Sequence, residues 1–203
     1  MAKFIPYPKD EYRRAIASET ADRAYSILGI RETIAGIECE PLTPRRAEWL
    51  RLCNSPFIVG GTVGLAEVIQ FLWVVSVDFK PSKEARDLFF QRMVKLDFDK
   101  ARADINEYLD RAYLDSSHRS AQSAPMVSSA AYYAHSMAGE PYRMNWRDVL
   151  DTPLAVLHQL IKARNESAGE IVANKRSDKV RGDWLQKQQA LETRRMKRRK
   201  NGS

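Results

Sequence analysis

The sequence predicts an all-α protein: a compact multi-helix domain with a short extended N-terminal connector and a basic C-terminal tail. Three observations lead there. Helix-start signals recur ahead of apolar residues spaced three and four apart. Only one stretch, 30–42 (IRETIAGIECEPL), has the glycine-interrupted, isoleucine-rich character of an extended or hairpin-like segment. The run 63–77 is apolar on nearly every face and reads as a central buried helix. Because it contains Glu67 and Gln70 and is shorter than the ~20 uncharged residues of a membrane span, a core role is expected of it.

Taken in order, Asp10 caps a helix running to Leu28, with Gly29 ending it and Tyr12, Ile16, Tyr25 and Leu28 roughly on one face. After the extended connector, Thr43-Pro44 is a helix start: the hydroxyl accepts an orphan amide, and proline has no amide to satisfy. That helix should run to about Cys53 and break at Asn54-Ser55-Pro56. The glycine pair 60–61 then turns into a helix capped by Thr62 and reaching Ser76. Ser82 caps an amphipathic helix carrying Ala85, Leu88, Phe89, Met93 and Leu96. Asp97 opens another, reaching about Leu114, with Ile105, Tyr108, Leu109 and Ala112 as its stripe. A short helix is expected over 126–138, stopped by Gly139. Asn145 caps a turn at 146–150, and Thr152-Pro153 opens a helix to about Ala173.

The organisation predicted is a main helical domain at 1–115, a small-polar linker at 116–125 (SSHRSAQSAP), a helical subdomain at 126–174 packed on the first, and a basic tail at 175–203, partly disordered or marginally helical. The charge is concentrated in that tail. Residues 175–200 hold eleven Lys or Arg against three Asp or Glu, a net of +8 in a chain whose formal charge is +7, so the rest is close to neutral. Arg194, Arg195, Lys197, Arg198, Arg199 and Lys200 form its densest cluster, suited to nucleic acid or an acidic partner, or simply solvated. Residues 1–10 show no secretory pattern, so a cytoplasmic location is expected.

Reactive chemistry finds little support. The histidines, His118, His135 and His158, stand in no metal or triad spacing, and there is no HExxH or GxSxG. Cys39 and Cys53 lie fourteen positions apart, the wrong spacing for zinc, and read as buried thiols. Gly60, Gly61 and Gly64 precede a helix, but the Gly-Lys-Ser/Thr ending of a phosphate loop is missing. The carboxylate pairs Glu38/Glu40 and Asp97/Asp99 sit in charged contexts that suit solvated or capping roles. Neither enzymatic activity nor a cofactor is expected. Trp49, Phe71, Trp73, Phe89, Phe90 and Trp146 are first of all core candidates. Adjacent Phe89 and Phe90 cannot both face one core, however, which makes Phe89, Phe90 and Met93 candidates for contact with a partner. Met126, Met137 and Met144 would also suit an adaptable surface, or fill gaps in the core.

The stretch 40–76 (EPLTPRRAEWLRLCNSPFIVGGTVGLAEVIQFLWVVS) joins a Pro-Leu-Thr helix start, an Asn-Ser-Pro-Phe break, a glycine pair and a helix containing Leu72-Trp73. In that order it resembles the tail assembly chaperones of tailed bacteriophages, encoded near the tape measure protein. Residues 130–163, with Trp146, Asp148, Leu150, Pro153 and Leu154 ahead of a long helix, are similar to that family's C-terminal part. The resemblance implies a helical chaperone that binds the helix-rich tape measure protein in the cytoplasm of the infected cell; it does not extend to the basic tail. The alternative is a structural virion protein or a nucleic-acid-associated protein using that tail.

Overall fold

The computed structural model describes residues 6–93, 95–114, 129–169 and 175–200. Among them are α1 (Lys9–Ile27), β1 (Glu32–Ile34), β2 (Ile37–Cys39), α2 (Pro44–Leu52), α3 (Pro56–Val59), α4 (Leu65–Val75), α5 (Lys83–Arg92), α6 (Phe98–Ala112), α7 (Ser129–Ala138), α8 (Trp146–Asp151), α9 (Leu154–Ser167) and α10 (Lys175–Lys200). Among the described residues the protein is all-α apart from the β1–β2 hairpin. No described helix is long and apolar enough to cross a membrane.

The central element is α4. Phe71, Leu72, Val74 and Val75 are completely buried along it, and α2, α5, α6 and β2 pack around it. The hairpin turns at Ala35-Gly36, both at positive φ (51° and 82°), the geometry that matches strand twist in a two-residue loop. β2 then continues onto the end of α4: the Glu40 amide donates to the Val75 carbonyl at 2.9 Å, and the Val77 amide to that of Glu38 at 3.0 Å.

Several caps form as the sequence suggests. The Thr43 hydroxyl oxygen accepts the Arg46 amide, Ser82 accepts that of Ala85, Asp97 that of Lys100 and Asn145 that of Arg147. Two others do not. Gly60 and Gly61 (φ 83° and 128°) hold the chain extended past Thr62, so α4 begins after Gly64, whose amide donates to the Glu67 carboxylate at 3.0 Å. Thr152 closes α8 by donating its hydroxyl to the Asp148 carbonyl at 2.7 Å, which leaves Pro153 as the first flanking residue of α9. α9 stops at Ser167, short of the expected 173, with Gly169 at φ 84° beyond it.

One buried cluster runs through both halves of the chain: Phe71, Leu72 and Ile105 share it with Met137, Val149 and Leu157. α2 packs on α7 and α8, and the Leu154 amide donates to the Leu42 carbonyl at 2.7 Å. The linker expected at 116–125, with His118, and the helix start at Met126 lie outside the described residues.

The expected stripe of α1 is only partly covered: Tyr12 and Tyr25 are half-buried. Ile16 and Leu28 are exposed, whereas Glu19 is 1 % exposed. The Glu19 carboxylate accepts the Arg176 amide at 2.5 Å, and the Arg176 guanidinium reaches Asp22. Further along, Trp184 meets Tyr7 edge-on at 5.1 Å. These contacts set α10 antiparallel against α1. They also give a physical reason why residues 175–200, which suggested only a marginal helix, form one continuous helix.

Candidate functional site

Most of the described residues with reactive potential have structural roles. His158 is 4 % exposed; its Nδ1 lies 3.2 Å from the Ala112 carbonyl, and its Nε2 lies 2.5 Å from the Tyr133 hydroxyl. A carbonyl only accepts, so Nδ1 carries the proton, and in the neutral ring Nε2 receives the tyrosine's. The ring thereby pins α9 to α6 and α7. His135 is exposed on α7. Cys39 is buried where the hairpin meets α4, and burial pushes its thiol up to about 12. Cys53 is half-buried and its thiol is likewise raised by desolvation. Among the described residues no group of three His, Cys, Asp or Glu could hold a metal ion. At the glycine turn, the Gly64 amide that an anion would use is already bonded to Glu67. Glu38 and Glu40 both pair with Arg31, while Asp97 caps α6 and Asp99 pairs with Arg102.

Of the partner-contact candidates, Phe89 is buried in the core, and Phe90 and Met93 are half-buried against it. The outward apolar side chain of α5 is Leu88. Met137 is fully buried and Met144 packs against the core. Trp146, expected inside, lies 56 % exposed with the Arg147 guanidinium over its ring.

The surface feature that stands out lies elsewhere. A groove of about 380 Å³ opens between the α1–β1 corner, the start of α2 and the α8–α9 corner. Its aromatic wall is Trp49 and Phe79, 5.8 Å apart, backed by Trp73 at 4.8 Å from Phe79. Pro41 and Pro153 form another wall, and both also line a second hollow with Tyr25, Ile30, Leu42 and Tyr108. Charge is present but internally matched. Arg45 grips Asp151 with two hydrogen bonds, at 2.6 and 3.0 Å, which holds the Asp151 carboxyl below its ordinary range. Arg46 is half-buried beside Phe79 and is spent on backbone carbonyls of α4 and its exit.

Gly29 lines this groove, and its sequence neighbours include three large apolar residues with exposed side chains: Ile27 at 60 %, Leu28 at 72 % and Ile30 at 40 % exposure. Residue spacing groups Leu28 with Tyr12, Ile16 and Tyr25 but does not tell which side of the helix is covered. The available signal was the density of Ile27, Leu28 and Ile30 around a glycine that ends a helix.

The basic cluster occupies the last turns of α10; Arg194 is exposed there. No protein-family model, curated protein or solved structure matches the chain.

Proposed function

We propose that this is a non-enzymatic helical binding protein, a phage tail assembly chaperone that shields an apolar stripe of the tape measure protein in the host cell cytoplasm during tail assembly. The observation that carries the reading is the exposed Ile27-Leu28-Ile30 corner around Gly29, which itself lines a groove walled by Trp49 and Phe79. A long helical partner displays apolar residues at three- and four-residue spacing, and an exposed apolar corner beside a groove with aromatic walls can cover such a stripe without a cofactor or nucleotide. The two stretches that resemble the family also meet here: Pro41, Thr43 and Trp49 come from 40–76, and Asp151 and Pro153 from 130–163.

The test is co-expression with a long helical tape measure protein. The parent should keep that protein soluble and co-purify with it, and the I27S/L28S/I30S variant should do neither. Equal solubility with the variant, or with the chaperone omitted, would retire the reading.

A further inference from the structure

We propose that the half of α10 beyond Trp184 is a basic helical arm that lies in the major groove of double-stranded DNA, held by phosphate neutralisation rather than by base sequence. The near half is committed elsewhere: the Arg176 guanidinium contacts Ser18 and Asp22, its amide is taken by Glu19, and Trp184 packs on Tyr7. Because α10 is antiparallel to α1, it passes the start of α1 near this point. The sixteen residues after Trp184 continue for about 24 Å of helix.

This arm accounts for nearly all of the chain's surplus charge. Residues 185–200 hold seven Lys or Arg and one acid, Glu192. Six of the cations fall within 194–200, about 10 Å of helix axis, a length over which duplex DNA carries about six phosphate charges.

The placement of those positions selects among polyanions. At ~100° per residue, 194, 195, 197, 198, 199 and 200 surround the helix rather than sharing one side. A helix bound to a membrane surface needs an apolar face, which this turn of chain lacks. An acidic protein surface would meet cations from one side only. A groove with phosphates on both walls meets several sides at once, and the B-form major groove, about 12 Å wide, admits a helix 10–12 Å across. The A-form major groove is too narrow for this.

The test uses the whole protein and a fluorescent 20-base-pair DNA duplex of arbitrary sequence, followed by anisotropy. Affinity should fall on the order of 10³-fold between 50 and 200 mM KCl. The R194Q/R195Q/K197Q/R198Q/R199Q/K200Q variant, which keeps helix-forming residues, should retain parental circular dichroism and lose at least a hundredfold in affinity at 50 mM. The I27S/L28S/I30S variant should bind DNA as the parent does, which separates this proposal from the groove reading. Undiminished binding by the glutamine variant, equal binding of an RNA duplex, or tighter binding to phosphatidylserine vesicles than to DNA would overturn it.

Discussion

The Arg46 guanidinium lies 2.9 Å from the carbonyl oxygen of Ser76 and also donates to that of Val74, so α2 supplies a cation to the open end of α4. The last carbonyls of a helix have no partner within it, and a positive charge there also opposes the helix dipole. Substitution Arg46→Ala should therefore cost about 2–3 kcal/mol in urea unfolding, the scale of buried hydrogen bonds to a charged group. Arg46→Lys should recover only part, because both bonds come from the terminal Nη1, which lies one bond further out than a lysine ammonium, and the planar guanidinium over the Phe79 ring is lost. A change below about 0.5 kcal/mol for the alanine variant would show that the contact is dispensable.

Stability at alkaline pH should depend on Cys39. Its folded thiol titrates at about 12 because of burial, above the ordinary 9.0. A raised acid pKa means that the unfolded chain loses its proton first, so the stabilisation is complete below pH 9 and declines as pH rises from there towards 12. Between pH 8 and 10 this group alone should remove on the order of 1 kcal/mol, and the Cys39→Ala variant should show a correspondingly flatter profile. Parallel profiles for the two proteins would contradict the assignment.

The exposed corner and the core should respond in opposite ways to truncation. Leu28→Ser should leave unfolding free energy within about 0.5 kcal/mol, since 72 % of the side chain already meets water. Leu157→Ala, at a fully buried position, should cost about 2–5 kcal/mol. Chemical denaturation of the two variants side by side checks both.

The docking of α10 can be loosened separately. Trp184→Ala removes the ring that packs on Tyr7, and hydrogen exchange along α10 should quicken while amides of α4 and α6 keep their protection. Uniformly faster exchange would mean that α10 is integral to the core instead.

Local signals were legible in the sequence wherever a few neighbouring residues decide the outcome. Thr43, Ser82, Asp97 and Asn145 cap helices because each side chain needs only an amide two or three residues ahead. The hairpin likewise follows from Ala35-Gly36 between isoleucines. Thr62 and Thr152 misled because equally local competitors, Glu67 and the Asp148 carbonyl, took the roles expected of them or diverted the hydroxyl. The groove was illegible for a different reason: Gly29, Trp49, Phe79 and Asp151 come from four separated segments that meet only after folding. The exposure of Leu28 was hidden likewise, since a helical stripe says which residues share a side but not which side is covered.

The Leu154-to-Leu42 hydrogen bond, together with the interior common to Phe71 and Leu157, bears on what happens if the backbone is severed between Leu114 and Ser129. Neither fragment could satisfy its own apolar surface, so two separately expressed pieces should reassemble into a non-covalent heterodimer. That would make the protein a ready framework for split-reporter complementation.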